Sequence, residues 1–125
     1  MLELLVAMQR RTVYATRNIP SWLLKIRERL TDHCADAPSL SMMAAEAGVH
    51  PAHVSRAFRH HFHCTITEYA RKIRIARAEE YLSATEMPLA EVAMLVGYSD
   101  QSHFSAAFKR ERGIPPARYR QSLRC

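Results

Sequence analysis

EVAMLVGYSDQSHFSAAFKR, residues 91–110, is the stretch that decides the fold of this 125-residue chain. Apolar residues at positions 89, 92, 93 and 96 recur with the spacing of one helical face. Gly97 then ends that helix, because glycine adopts a left-handed backbone most readily. A second amphipathic segment follows, with Phe104 and Phe108 on its inner side. Two short helices joined at a glycine, the second with a polar outer face, predict a helix-turn-helix whose second helix enters the DNA major groove.

The same pattern occurs once before, beginning at Ser39, which suits the N-cap of a helix. Apolar residues at positions 40, 43, 44 and 47 form the stripe, and Gly48 stands where Gly97 stands later. Pro51 suits the first turn of the next helix, where its missing N–H is not needed. We therefore predict an earlier helix-turn-helix, with Val54 and Phe58 facing inward.

These two segments are copies of one module. Gly48 precedes Gly97 by 49 positions, and residues 53–55 and 57–59 match residues 103–105 and 107–109 at a shift of 50 positions. The difference of one places an extra residue in the second turn, near Asp100. A match of this length indicates an internal duplication.

Residues 66–83, between the copies, are predicted to form one linker helix of roughly 25 Å at 1.5 Å per residue. Two reading helices in successive major grooves must lie about 34 Å apart, and a rigid connection of this length suits that distance. We expect four of its apolar residues to face inward: Tyr69, Ile73, Ala76 and Leu82. Its basic residues are expected to be solvated or to touch the DNA backbone: Arg71, Lys72, Arg74 and Arg77.

The whole chain is predicted to be all-α, with two homeodomain-like helix-turn-helix subdomains in tandem joined by the linker helix. Residues 1–38 hold N-terminal helices, one ending near Ala15 and one running from Ser21 to about His33, and represent a connection to, or a remnant of, a sensor domain. Residues 39–65 form the first helix-turn-helix, 66–83 the linker helix, and 84–125 the second helix-turn-helix with a C-terminal tail.

Composition favours a polyanionic partner. The chain has 18 Lys and Arg against 12 Asp and Glu, a net charge of +6, which fits nucleic acid. No apolar run approaches about 18 residues, so no membrane span is expected, and the start lacks the features of a signal peptide. Three scattered cysteines, Cys34, Cys64 and Cys125, indicate reduced thiols and a cytoplasmic protein.

The stretch 97–110, followed by Gly113-Ile114-Pro115-Pro116 and Tyr119-Arg120, resembles the signature of the AraC/XylS family of bacterial transcription regulators, as do residues 44–48 and 54–59. The resemblance covers residues 39–121. It implies sequence-specific promoter binding through two adjacent major grooves, with RNA polymerase as a partner. Small-molecule sensing or dimerisation usually lies in a separate domain of the family, so we expect no effector to bind this chain. The chain departs from the family at His63, commonly glycine, and at Ala106, often arginine.

The outward residues of the two reading helices are the predicted DNA contacts: Ala52, Ser55, Arg56, Arg59, Gln101, Ser102, Ser105, Ala106 and Lys109. The planar fork of Arg56 matches guanine O6 and N7, with a phosphate as the alternative, and Gln101 suits adenine. Arg59 and Lys109 lie one turn further and suit phosphates. Ala106 offers only apolar contact, such as with a thymine methyl group.

A cluster of His60, His61, His63 and Cys64 leaves an alternative function open: a redox- or metal-responsive regulator. No second ligand pair has zinc-finger spacing, so we expect no metal ion and no cofactor. His103 has no nucleophile or carboxylate at a catalytic spacing, so an enzyme is not expected. A further alternative is a protein-interaction module, or a homodimer, formed through the N-terminal helix.

Overall fold

A computed structural model describes residues 18–124 of the chain. These residues form seven helices and no strand, which confirms the predicted all-α fold. The helix predicted in residues 1–15, and the interaction module proposed on it, lie outside the described residues. The helices are α1 (Ser21–Asp32), α2 (Leu40–Ala47), α3 (Pro51–Phe62), α4 (Ile66–Ala84), α5 (Leu89–Leu95), α6 (Gln101–Arg112) and α7 (Pro116–Ser122).

The described residues divide into two compact units that do not follow chain order. The first unit holds residues 18–28 and 39–65, and the second holds residues 29–38 and 66–124. Helix α1 therefore contributes its first eight residues to the first unit and its last four to the second. Each unit contains one copy of the duplicated module.

The first module begins and turns as its sequence predicts. The Ser39 side chain accepts a 3.2 Å hydrogen bond from the N–H of Met42 and so caps α2. Gly48 then adopts φ 72°, in the left-handed region. The N–H of Val49 reaches back to the carbonyl of Ala44 at 3.1 Å, which satisfies a carbonyl at the end of the helix.

The second module repeats this turn 49 positions later. Gly97 has φ 106°, and the N–H of Tyr98 reaches back to the carbonyl of Ala93 at 2.9 Å. Two residues separate Gly48 from α3, whereas three separate Gly97 from α6. The extra residue predicted in the second turn is therefore present, and Asp100 uses that position to cap α6.

Both modules close over apolar cores. In the first unit the buried side chains are Leu23, Ile26, Met43, Ala44, Val54 and Phe58. In the second unit Phe104 and Phe108 are fully buried among Ile75, Ala78, Leu82, Val92, Ala93 and Val96. Truncating a buried phenylalanine costs about 3–5 kcal/mol, so these rings hold α3 and α6 in place.

Helix α4 is one continuous helix of 19 residues, as the linker prediction requires, but its inner face differs from the predicted one. Ile75, Ala78 and Leu82 are buried, whereas Ala76 is exposed and Tyr69 and Ile73 are only half-buried. The prediction is therefore correct for Leu82 and wrong for Ala76, because α4 packs on more than one side within the second unit. It meets the apolar core on one side and residues 29–38 on another.

The basic residues of α4 anchor residues 29–38. Arg74 Nε donates a 2.8 Å hydrogen bond to the carbonyl of Cys34, and an Arg77 terminal nitrogen donates one of 2.9 Å to the carbonyl of Thr31. The Thr31 hydroxyl is 2.7 Å from the Tyr69 hydroxyl. Instead of being only solvated or reserved for DNA, these arginines satisfy carbonyls at and just beyond the C-terminus of α1, where cations are favoured.

Candidate nucleic-acid interface

Helix α3 presents the first predicted reading face to solvent. Ala52, Ser55, Arg56 and Arg59 are all exposed, while Val54 and Phe58 on the opposite side are fully buried. Within residues 18–124 neither Arg56 nor Arg59 has an ion-pair partner. Both guanidinium groups are therefore available for an anion or a base edge.

Helix α6 presents the second predicted face. Gln101, Ser102, Ala106 and Lys109 are exposed and Ser105 is half-buried. Phe104, Ala107 and Phe108 occupy the buried side of the same helix. The structure thus brings the predicted residues together as one outward face on each reading helix.

The shift of 50 positions aligns the two faces residue by residue. Arg59 corresponds to Lys109 and Ser55 to Ser105, which keeps similar chemistry. Arg56 corresponds to Ala106, so a guanidinium on one face is replaced by a methyl group on the other. The first face can donate hydrogen bonds to a base at this position, and the second can offer only apolar contact.

The first turns of the helices already use some of their free N–H groups. The Nδ1 atom of His50 accepts a 3.1 Å hydrogen bond from the N–H of Ala52, and the Asp100 carboxylate accepts one of 2.7 Å from the N–H of His103. The free N–H groups at a helix N-terminus can bind a phosphate. The observed caps show that at least one N–H in each is satisfied within the chain.

In the second unit a cleft lies between α4 and α6, on the flank of the second reading face. Its volume is about 290 Å³, and its lining residues are Thr67, Arg71, Arg74, Tyr98, His103, Ala106, Ala107 and Arg110. Burial raises the pKa of the Tyr98 hydroxyl, against the opposing effect of the Arg74 and Arg71 charges. The His103 ring packs edge-on against Tyr98, with ring centres 5.3 Å apart.

Sequence reasoning missed this cleft. Arg71 and Arg74 lie one turn apart on α4, and His103 and Arg110 lie two turns apart on α6, so each pair was visible as a helical stripe. Nothing in the local pattern indicated that the two stripes face each other, because that depends on how α4 packs.

The His60–Cys64 cluster does not form a metal centre in the structure. Within residues 18–124 no group of three or more His, Cys, Asp or Glu side chains is placed to hold a metal ion. His63 instead ends α3 with φ 60°, and its N–H bonds to the carbonyl of Arg59. Histidine thus occupies the left-handed position held by Gly113 in the second module.

None of the helices in residues 18–124 is long and apolar enough to cross a membrane.

Comparison with known proteins is consistent with this geometry. A family model described as a helix-turn-helix domain matches residues 43–122. The regulatory protein SoxS of Salmonella typhimurium is 33% identical over 96 residues, covering 77% of this chain and 90% of SoxS. The arabinose operon regulatory protein of Escherichia coli is 33% identical over 92 residues, covering 73% of this chain and 32% of that regulator. This chain therefore spans most of SoxS but about a third of the arabinose regulator.

Solved structures share the fold. The C-terminal domain of AraT, a response regulator from Geobacillus stearothermophilus, superposes with a TM-score of 0.79 at 30% identity, covering 84% of this chain and 88% of that domain. The DNA-binding domain of AdpA, solved in complex with a target DNA, has a TM-score of 0.76 at 22% identity, covering 82% and 92%. The second likeness supports the fold alone.

Proposed function

Since the chain belongs to the AraC/XylS family of helix-turn-helix transcription regulators, we propose that it binds double-stranded promoter DNA sequence-specifically through two adjacent major grooves. The observation that carries this proposal is the duplicated outward face. Each module buries one side of its second helix and leaves a polar or basic side exposed at equivalent positions. A helix of this kind fits the width of a major groove.

The residues of the two faces divide between base contacts and phosphate contacts. Arg56 pairs with guanine through its fork, Gln101 reads adenine, and Ala106 touches a thymine methyl group. Arg59 and Lys109 bind phosphates, and Ala52, Ser55, Ser102 and Ser105 complete the two faces. Base specificity is therefore concentrated in the first module, because Arg56 carries hydrogen-bond donors and its counterpart Ala106 carries none.

At the promoter the protein acts in the cytoplasm and without catalysis, through contact with RNA polymerase. Relatives that are named only as regulatory proteins support the absence of catalysis. One relative, AdaA of Bacillus subtilis, is named as both an activator and a DNA repair enzyme, and this chain covers 47% of it.

Selection from a pool of random duplexes tests the DNA-binding proposal, because the preferred sequence emerges from the selection itself. We expect two enriched blocks whose centres lie about one helical turn, 10–10.5 base pairs, apart. Affinity for the enriched duplex should fall steeply with salt, because each neutralised phosphate releases counterions. Equal affinity for the starting and the selected pools would contradict sequence-specific binding.

A matched variant assigns the two blocks to the two modules. Arg56→Ala should erase the preference within one block and leave the other block enriched as before. Arg118→Ala removes an exposed arginine that lies outside both faces and should return the wild-type pattern. Loss of both blocks with Arg56→Ala would contradict independent reading by the two modules.

A further inference from the structure

Each reading helix carries an exposed histidine in its first turn. His53 and His103 correspond at the shift of 50, and each is the third residue of its helix, α3 or α6. Both side chains are exposed. The residue that follows each of them, Val54 or Phe104, is fully buried. The duplicated module therefore places an imidazole at the same point of both helices, on the solvent side.

The two histidines lie along one edge of the proposed DNA-contacting faces. His53 stands one turn before Arg56 on α3, and His103 stands one turn before Ala106 on α6, so each pair is adjacent on the helix surface. A helix about 10–12 Å across nearly fills a major groove about 12 Å wide. Residues at the centre of its outward face then meet base edges, and residues at its edges meet the sugar-phosphate backbone. A phosphate is therefore the DNA group nearest to each imidazole.

An aromatic ring from outside the helix supports each imidazole. Trp22 of α1 packs against His53, with ring centres 5.6 Å apart and planes tilted by 39°. Tyr98, in the turn before α6, packs against His103 with ring centres 5.3 Å apart. The first module has Val49 at the position of Tyr98, so its ring is supplied by a different part of the chain. Such packing restricts the imidazole rotamers and lowers the entropy lost on binding.

The surroundings of His103 carry a surplus of positive charge. The charged and titratable groups around it come from α4, from the turn and from α6: Arg71, Arg74, Tyr98, Asp100, Arg110 and Glu111. Arg71 and Glu111 form an ion pair, and the Asp100 carboxylate caps the first turn of α6. Three arginines against two carboxylates leave one positive charge in excess, which favours an anionic partner.

Fewer charged groups surround His53. The Trp22 ring that faces it from α1 is neutral, and the nearest charged residue along that helix is Lys25, one turn further. On α3 the first turn is capped by the Nδ1 atom of His50, where α6 has a carboxylate. Arg56, one turn beyond His53, adds a positive charge on the same side. The charges near His53 also suit an anion.

We propose that His53 and His103 each bind a phosphate of the DNA backbone in the protonated form, so that the protein takes up protons when it binds DNA. This inference rests on the proposed function. An imidazole changes its charge between about pH 5 and 8, and an ionised donor bonds a phosphate more strongly than a neutral one. Affinity for DNA therefore rises as pH falls from 8 to 6, by up to about tenfold per pH unit for each proton taken up.

The cap at His50 acts in the opposite direction. Its Nδ1 atom accepts a hydrogen bond from the N–H of Ala52, and a protonated imidazole has no acceptor. Protonation of His50 therefore removes the cap and weakens the start of α3. A gain in DNA affinity at low pH cannot come from this residue.

Binding of the selected duplex at pH 6, 7 and 8 and constant salt, followed by fluorescence anisotropy, tests the proposal. We expect the wild type to bind on the order of tenfold more tightly at pH 6 than at pH 8. His53→Gln and His103→Gln should each remove part of this gain, and the double variant should remove nearly all of it, with little change at pH 8. His53→Arg, which is charged at every pH, should bind more tightly than the wild type at pH 8.

Two further measurements serve as controls. His33→Gln changes an exposed histidine that lies outside both reading helices, and it should leave the pH dependence unchanged. Calorimetry in two buffers of different ionisation enthalpy counts the protons directly. The wild type should take up protons on binding, and the His53→Gln, His103→Gln double variant should take up almost none.

Several results would overturn the proposal. These are a double variant that keeps the wild-type pH dependence, a His33→Gln variant that loses as much of it, and an absence of proton uptake. A loss of affinity that is equal at pH 6 and pH 8 would also overturn it, because the contact would then be neutral or the role structural. Each result leaves the proposed reading of DNA intact. Since every duplex contains phosphates, a random-sequence duplex at low salt tests the histidines even when no preferred sequence emerges.

Discussion

Arg74 donates a 2.8 Å hydrogen bond from its Nε to the carbonyl oxygen of Cys34, and the same guanidinium lies 5.6 Å from the ring centre of Tyr98. One side chain of α4 therefore joins residues 29–38 to the turn of the second helix-turn-helix. The backbone of Ala35 lies against Gly97 in the same place. The second module is thus supported by residues that precede the first module in the chain.

Removing this link should destabilise the protein. Arg74→Ala deletes a charged donor and leaves the Cys34 carbonyl without its partner, for an expected loss of about 1–3 kcal/mol in the free energy of unfolding. Urea denaturation followed by circular dichroism measures the loss. Arg118→Ala, an exposed arginine on α7, should change stability by no more than about 0.5 kcal/mol. Equal effects of the two substitutions would mean that the Arg74 bond contributes nothing.

The two turn glycines should respond differently to alanine. At Gly97 a Cβ would stand 2.9 Å from the Ala35 Cα, with φ at 106°, whereas at Gly48 a Cβ would meet nothing within 4 Å, with φ at 72°. Gly48→Ala should cost about 1–2 kcal/mol, the usual penalty for a left-handed alanine. Gly97→Ala should cost clearly more, because a backbone clash is added. The comparison uses the same denaturation measurement, and a smaller cost at Gly97 would contradict the packing of Ala35.

The ends of the two reading helices allow a reciprocal test. His63 and Gly113 are equivalent at the shift of 50, and both adopt left-handed φ, at 60° and 85°. His63→Gly should stabilise the protein by about 1 kcal/mol, since the strain of a side chain in this region is removed. Gly113→Ala should destabilise it by a similar amount, because nothing within 4 Å of its Cβ adds a clash. A loss of stability in His63→Gly would show that the imidazole makes a contribution larger than the strain.

Tyr98 should make stability depend on pH at the alkaline end. Burial raises the pKa of its hydroxyl above the ordinary value, which is about 10. The folded chain therefore keeps this proton at pH values where the unfolded chain has lost it. The contribution of the protonated hydroxyl to the free energy of unfolding is complete below pH 10. It is lost as pH rises through the folded pKa, with a slope of up to about 1.4 kcal/mol per pH unit.

Tyr98→Phe isolates this contribution. The free energy of unfolding of the wild type relative to Tyr98→Phe should be constant between pH 7 and 9 and should fall above pH 10. Urea titrations of both proteins at each pH give the difference directly. A difference that stays constant up to pH 12 would mean that the hydroxyl ionises as it does in the unfolded chain.

Arg56 and Arg59 should separate base reading from phosphate binding. Arg56→Ala should cost about 1–3 kcal/mol on the selected duplex and little on duplexes altered at the contacted base. Arg59→Ala should weaken binding to all sequences alike and lower the salt slope by about one. Binding of each variant to the selected and altered duplexes over a range of salt decides the roles. A uniform loss with Arg56→Ala would assign that residue to a phosphate.

Local chemistry explains why much of the fold was predictable. Ser39, Gly48 and Pro51 act within one helical turn of their own positions, so their roles as cap, turn and helix start are visible in the sequence. Because the module is duplicated, the same features are expected in the second copy. The difference of one between the two shifts places the extra residue near Asp100. The outward placement of Arg56 and Gln101 followed from the helical period alone.

Features that depend on packing between distant segments were not predictable. The inner face of α4 was placed on Ala76 instead of Ile75 and Ala78, because a helix contacted on two sides lacks a single apolar stripe. The role of Arg77 depends on Thr31, 46 positions away. The cleft beside α6 depends on the same packing, and so no pattern in the sequence revealed it.

The division of the chain into units also governs the order in which the protein can fold during synthesis. Residues 29–38 leave the ribosome before the first module, yet Arg74 and Arg77, which bind their carbonyls, are made about forty residues later. The second unit therefore begins with a segment whose carbonyl groups stay bonded to water until α4 has been synthesised. The 27 residues from 39 to 65 are, in topological terms, an insertion within the second unit. The first module is therefore fully synthesised before the second unit, which flanks it in sequence, can fold.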